Sequence, residues 1–105
     1  MTDAAMYARI TDLKVMPGKA KEATEGWAKT IELAQQEPGF QEAAFILDEA
    51  TNQGFSITFW DSKKNLDRTG RRGAGTLIER AVPLLRRYLT ADPRFSSFKV
   101  MRRIK

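Results

Sequence analysis

The chain has 105 residues, of which 42% are hydrophobic and 30% charged, and its formal net charge at pH 7 is +5. This profile is typical of one soluble globular domain, so residues 1–105 are treated as a single domain. The absence of cysteine and histidine excludes disulfides, thiolate and histidine catalysis, and metal or haem sites that need those ligands.

The first predicted strand and helix follow from a change in the spacing of apolar residues. Residues 5–16 alternate between apolar and polar side chains, which indicates a strand, and Pro17-Gly18 ends it. Residues 19–36 predict a helix that Pro38-Gly39 terminates. Its apolar stripe consists of Ala20, Ala23, Trp27, Ile31 and Ala34.

The second half of the chain predicts a hairpin, two helices and a final strand. Residues 40–50 and 54–60 indicate two strands joined by a turn at 51–54. Asp61 or Ser62 is expected to cap a short helix over 62–69. A helix over 76–89, which Pro83 should kink or split, and a strand over 95–104 complete the order.

The resulting order, β-α-β-β-α-α-β, predicts an α+β sandwich in which helices cover one face of an antiparallel sheet. The second strand nevertheless presents apolar side chains on both faces: Phe40, Ala44 and Ile46 on one, and Ala43, Phe45 and Leu47 on the other. One helical layer cannot cover both faces, and an uncovered apolar face is unfavourable in water. A homodimer that packs sheet against sheet is therefore expected.

The N-terminus shows no signal-peptide pattern and no stretch is apolar enough to span a membrane, so a cytoplasmic location without membrane contact is expected. The positive charge is spread along the chain, with only four doublets. A solubilising surface explains such a distribution better than a nucleic-acid site. Asp48 and Glu49 are neighbours on opposite strand faces, so no metal site is predicted.

Three short segments resemble one known family. "MPGKAKE" after the first strand, "EPGF" opening the second and "TFWDSKKNL" closing the third are similar to the antibiotic biosynthesis monooxygenase (ABM) family. The resemblance covers residues 5–67, and beyond them it extends only to the order of elements. It implies a ferredoxin-like fold and a dimeric α/β barrel, in agreement with the dimer expected from the strand faces.

The resemblance also implies candidate functions. The family includes cofactor-independent oxygenases of polyketide anthrones and quinols, haem-degrading members, and proteins without an assigned reaction. The haem-degrading branch uses a histidine ligand, which this chain lacks. The expected function is thus a cofactor-free monooxygenase of an aromatic polyketide or quinol-like substrate, and the alternative is a non-catalytic ligand-binding or stress-linked protein of the same fold.

A pocket for such a substrate needs aromatic walls and polar groups that stabilise an oxyanion. Trp27 lies in the apolar stripe of its helix, where a core position is the simpler interpretation. Trp60 lies at a strand end next to a helix start, where packing and substrate contact require the same residue. The full set of candidates comprises the walls Trp60, Trp27, Phe45, Phe59 and Tyr88, and the polar contacts Arg9, Tyr7, Asn65 and Arg80.

A second alternative comes from Gly70-Arg71-Arg72-Gly73. Two basic residues between glycines resemble the GXXG loop of KH domains, whose backbone approaches RNA phosphates closely. The simpler interpretation is a turn between two helices whose glycines end and begin them.

Overall fold

A computed structural model describes residues 5–70 and 75–105. The elements follow the predicted order, with bounds β1 Tyr7–Lys14, α1 Ala20–Ala34, β2 Phe40–Asp48, β3 Gln53–Trp60, α2 Lys63–Arg68, α3 Leu77–Arg86 and β4 Arg94–Lys99. The strands form one sheet in the order β2-β3-β1-β4, and every neighbouring pair is antiparallel. The predicted α+β architecture is confirmed.

The helices pack on one face of the sheet and bury two apolar clusters against it. One cluster centres on Leu13 and Val15 of β1 and its extension, together with Leu85 of α3. The other centres on Trp60 and Leu66. The core therefore lies between the helical layer and the sheet, where burial of apolar surface contributes most of the stability.

Local chemistry explains the ends of several elements. The side chain of Ser62 accepts a hydrogen bond from the backbone N–H of Asn65 (3.1 Å) and caps α2, as one of the two predicted caps. In the β2–β3 turn, Asn52 has a φ of 62°, a conformation that asparagine tolerates. The Asp48 carboxylate accepts a hydrogen bond from the N–H of Ala50 (2.9 Å), which fixes that turn.

Helix α3 differs from its prediction in two respects. It ends at Arg86 rather than at residue 89, and it continues through Pro83 without being split. A proline removes one backbone donor and costs a helix several kcal/mol in isolation, about 3 kcal/mol or more. Burial of Leu77 and Leu85 against the core, on either side of Pro83, offsets that cost.

The predicted face of Phe40 is wrong. A register shift between Phe40 and Glu42 in the β2–β3 pair places Phe40 on the helix-facing side. There its ring meets the indole of Trp60 edge-on, with centroids 5.7 Å apart. Such a bulge reverses the alternation of side chains beyond it, so Phe40 is on the opposite face from Ala44 and Ile46.

The other sheet face, called the open face below, carries no helix in the described ranges. It is formed by alternate residues of all four strands, among them Ile10, Ile46, Ile57, Phe55, Phe59 and Phe98. Ile46 and Phe98 are 51% and 52% exposed. The predicted uncovered apolar face is thus present in this chain.

Candidate functional site

A narrow pocket opens between the helix-facing side of the sheet and helices α1 and α3. Its cavity volume is about 70 Å³. This is smaller than typical small-molecule sites of roughly 300–1,000 Å³, so only a flat, narrow ring system suits it. Its apolar walls include Ile31 and Ala34 of α1, and Leu77, Ile78, Ala81 and Leu85 of α3.

Four polar residues lie at the floor of the pocket, because adjacent strands place them side by side. Arg9 is paired with Thr58, and Thr11 with Ser56, across the β1–β3 ladder. All four line the pocket. Directly opposed residues of an antiparallel pair point to the same face with their Cβ atoms about 5 Å apart. The sheet thus brings one cation and three hydroxyl groups together beneath the apolar walls.

Both indoles of the chain donate to hydroxyl groups of this floor. Trp27 Nε1 donates to Ser56 Oγ (2.8 Å), and Trp60 Nε1 donates to Thr58 Oγ1 (2.9 Å). A hydroxyl that accepts a hydrogen bond keeps its own O–H for donation. Each of these hydroxyls therefore accepts from an indole and still has its own O–H to donate elsewhere.

Arg9 joins the floor to helix α2. Its Nη2 donates to the carbonyl of Leu66 (3.1 Å) and to Thr69 Oγ1 (3.0 Å). Burial lowers the pKa of the Arg9 guanidinium, and the negative charge of Asp67 partly opposes that change. Because arginine titrates far above neutrality, the side chain remains a cation.

Five predicted site residues lie in or next to this pocket. Trp60, fully buried at 0% exposure, and Arg9 line it directly. Trp27 stacks on Phe45 with centroids 5.7 Å apart and reaches the floor only through its N–H. Tyr7 packs against the cluster that contains Trp60. Trp60 is therefore a core residue that also borders the pocket, and its contact with a substrate stays a prediction.

Two predicted aromatic walls lie elsewhere. Phe59 is on the open face, where the guanidinium of Arg103 lies 5.5 Å from its ring centroid. Tyr88 packs against the cluster that contains Val15 and borders a separate groove between α1 and α3. Neither side chain lines the pocket described above.

The two remaining polar candidates make local structural contacts. Asn65 Nδ2 donates to Asp61 Oδ1 (2.8 Å), which joins the first turn of α2 to the end of β3. Arg80 forms an ion pair with Glu37 (2.7 Å) on an exposed surface. Their roles as substrate contacts stay predictions, to which this geometry adds no support.

The Gly70-Arg71-Arg72-Gly73 segment lies outside the described residues except for its first glycine. A Cβ atom at Gly70 would lie 3.1 Å from the Nη atoms of Arg9. Gly70 therefore packs closely against the guanidinium at the pocket floor. The suggestion of RNA binding by this segment stays a prediction.

Sequence reasoning missed the hydroxyl residues of the floor. Thr11, Ser56 and Thr58 are all largely buried, although polar side chains on the core-facing side of a strand are unusual. A visible signal was the position of Ser56 and Thr58 on the same strand face as Trp60. Two polar residues in succession on the core-facing side of a strand indicate that the strand borders a cavity.

Among residues 5–70 and 75–105, no group of three or more His, Cys, Asp or Glu side chains could hold a metal ion. The helices of these ranges are also too short or too polar for any of them to cross a bilayer.

Solved structures resemble this fold over almost the entire chain. A mutant of SnoaB, a cofactor-independent oxygenase from Streptomyces nogalater, is 17% identical, covers 98% of both chains and gives a TM-score of 0.74. A conserved protein from Methanosarcina mazei Go1 is 16% identical, covers 91% of this chain and 93% of its own, and gives 0.70. Rv0793 from Mycobacterium tuberculosis is 13% identical, covers 95% and 99%, and gives 0.69. These likenesses confirm the ferredoxin-like fold.

A comparison with curated proteins finds no significant match. The antibiotic biosynthesis monooxygenase family model, in contrast, matches residues 6–70. That range includes the floor of the pocket on β1 and β3, the arginine that joins it to α2, and both tryptophans. Since the match spans more than half of the chain, this protein belongs to the antibiotic biosynthesis monooxygenase family.

Proposed function

We propose that this protein is a cofactor-independent monooxygenase that oxidises a flat aromatic polyketide or quinol-like substrate with molecular oxygen. The observation that carries the proposal is one narrow pocket that combines apolar walls with a floor of hydrogen-bond donors. The similarity of fold to SnoaB, itself a cofactor-independent oxygenase, supports it.

The chemistry asks little of the protein, because the substrate supplies the electrons. Once deprotonated, an anthrone is electron-rich enough to reduce oxygen. Its methylene group becomes a carbonyl, one oxygen atom enters the product, and the other leaves as water with the two methylene hydrogens. The protein's part is to hold the ring flat, exclude water, and stabilise the substrate oxyanion with donors at Arg9, Ser56 and Thr58.

The test is oxygen uptake with anthrones and hydroquinones, without added flavin or metal and in the presence of a chelator. Wild-type protein is expected to raise the rate clearly above the uncatalysed reaction. Binding of these compounds without uptake would contradict the oxygenase, and would favour the ligand-binding protein of the same fold.

Filling the pocket is expected to abolish this activity. Ala81 is half-buried and lines the wall of the pocket, so Ala81→Trp should occupy the space of the ring and lower kcat/KM by a factor of about ten or more, which is the effect of roughly 1.4 kcal/mol. Arg86→Trp, on an exposed position of the same helix, is the matched control and should keep wild-type rates. Undiminished uptake by a folded Ala81→Trp protein would show that the reaction occurs elsewhere.

The proposal includes a homodimer that pairs the open faces of two copies. The face combines exposed Ile46 and Phe98 with charges of both signs, such as Asp12 paired across the ladder with Arg94. A surface that carries both signs around an apolar centre can pair with its own copy about a two-fold axis. A second copy would remove the exposed apolar area from water.

The solution mass from light scattering on a sizing column tests this dimer. At low and at moderate salt, wild-type protein is expected near twice 11.9 kDa, and Phe98→Glu near 11.9 kDa, because a buried unpaired carboxylate opposes association. Leu84→Glu is the matched control: its side chain is 37% exposed but lies on α3, so it should remain a dimer. A monomeric wild-type protein would refute the paired sheets.

A further inference from the structure

The guanidinium of Arg9 is held rigidly within the protein. Its Nη2 makes the two bonds to α2 described above, Gly70 packs against both Nη atoms, and the ring of Phe95 lies 6.0 Å from the guanidinium carbon. A cation held between the end of α2 and strand β4 keeps its position when a ligand arrives. It therefore acts as a preorganised charge rather than a flexible surface arginine.

Within residues 5–70 and 75–105, the acceptors that bind this cation are neutral. A backbone carbonyl and a threonine hydroxyl receive its hydrogen bonds, and within the described ranges it takes part in none of the ion pairs. The negative charge of Asp67 raises the pKa of Arg9 by electrostatic attraction, without forming an ion pair with it. A partly buried charge without a counterion is unfavourable, so an anion brought next to it would be stabilised.

One buried donor of the guanidinium, the Nε–H, lacks a partner among the described residues. A buried donor without a partner typically costs about 1–3 kcal/mol. Arg9 also lines the pocket beside the hydroxyls of Thr11 and Thr58, so a ligand oxygen at the floor would lie next to a cation whose hydrogen bonds are incomplete.

We propose that Arg9 is the specificity residue of the pocket and selects ligands that bind with an ionised oxygen, a phenolate or enolate, at the floor. The inference rests on the proposed function only in placing the substrate in this pocket. It adds which form of the ligand is bound and which residue chooses it.

The sign of the pH effect follows from the charge of Arg9. Because arginine stays protonated, the titrating group is the ligand. A phenol bound next to a fixed cation loses its proton more readily, and an opposite charge at 4–6 Å lowers an acid's pKa by about 1–3 units. The affinity for a phenol should therefore rise with pH until the free ligand is ionised, and then level off.

A hydroxyanthraquinone dye such as alizarin tests this directly. It is flat, it is already a quinone, and its absorbance distinguishes the phenol from the phenolate. Bound to wild-type protein, the dye is expected to ionise at least about one pH unit below the free dye, which corresponds to a tenfold preference for the anion. Unsubstituted anthraquinone, which cannot ionise, should bind with no dependence on pH.

Matched variants assign the effect to Arg9. Arg9→Met should remove the pH shift and weaken dye binding at least tenfold at a pH where the dye is ionised, and it should weaken the binding of neutral anthraquinone much less. Arg9→Lys should retain part of the shift. Arg80→Met is the control, since it removes an equal charge from an exposed arginine outside the pocket.

Three results would overturn the inference: an unshifted dye on wild-type protein, no dye binding at all, or the same shift in Arg9→Met as in wild type. The wild-type comparison of the dye with anthraquinone does not depend on any variant folding. Oxygen uptake is measured separately. If the bound dye ionises at a lower pH but no oxygen is taken up, the oxygenase is refuted and the selectivity of Arg9 stands. If oxygen is taken up but the ionisation of the dye is unshifted, the selectivity is refuted and the oxygenase stands.

Discussion

Trp60→Ala is expected to lower the free energy of unfolding by about 3–5 kcal/mol, the usual cost of deleting a buried tryptophan. The indole is 0% exposed, meets Phe40 edge-on, and donates to Thr58. Its removal would leave a cavity next to an existing pocket. The residues around that cavity would relax little to fill it, so most of the cost of the deletion would remain. For a chain of this length the melting temperature should fall by about 12 °C or more.

Thermal and urea unfolding at one fixed protein concentration measure this effect, since pairing of copies would make stability depend on concentration. Trp60→Phe is the matched variant, because it keeps an aromatic ring while it loses the N–H donor to Thr58 and the volume of one ring of the indole. It should cost roughly 1–2 kcal/mol. A Trp60→Ala protein that melts within about 2 °C of wild type would contradict a structural role for the indole, because even a loss of 1 kcal/mol shifts the midpoint further.

The more conservative variant also separates packing from substrate contact. If the indole touches the substrate, Trp60→Phe should reduce oxygen uptake while the protein remains folded. Equal turnover in Trp60→Phe would remove this side chain from the site and leave it as core alone.

Gly39→Ala is expected to be the next most damaging substitution, at about 2–4 kcal/mol. The glycine has a φ of 86°, which costs other residues about 1–2 kcal/mol. A Cβ atom there would also collide with the Asp61 carboxylate and lie 2.6 Å from Asn65 Nδ2. The collision breaks the Asn65–Asp61 hydrogen bond and disturbs the bond from the Asp61 N–H to the Gly39 carbonyl (2.9 Å).

Gly18→Ala provides the control for this experiment. Gly18 has a similar φ of 78°, but nothing lies within 4 Å of the position of its Cβ. Its substitution should therefore report only the backbone cost, about 1–2 kcal/mol. Urea midpoints of the two variants give the difference. If both alanines cost the same, the contact of Gly39 with Asp61 and Asn65 contributes nothing to stability.

The order and type of every element were predictable because each depends on neighbours in sequence. Helical spacing, Pro-Gly pairs and a serine cap all act within one or two turns of the chain. The face of Phe40 was not predictable, since the bulge beside it is a property of how two strands pair. The continuity of α3 through Pro83 likewise depends on packing against the core, which local propensity does not contain.

The candidate site was predictable only in part for the same reason. Arg9 and Trp60 were identified because a cation in a core-facing strand and a tryptophan at a strand end are unusual in themselves. Asn65 was a candidate for which a position on the helix surface was the simpler interpretation, and its side chain binds Asp61. The hydroxyl floor arises from cross-strand pairing of residues such as Thr11 and Ser56, far apart in sequence.

The strand order has a consequence for how the chain folds. β1 is the first strand made, but it lies inside the sheet between β3 and β4, with Tyr7 paired to both Trp60 and Lys99. The chain between β1 and each of these partners forms a long loop, and closing it costs entropy before the stabilising contacts form. Pairing between strands so far apart in sequence is therefore slow. During synthesis β1 stays unpaired until β3 and β4 have been made. The β2–β3 hairpin joins two consecutive strands, so it can form earlier, and the other strands can then pair with it.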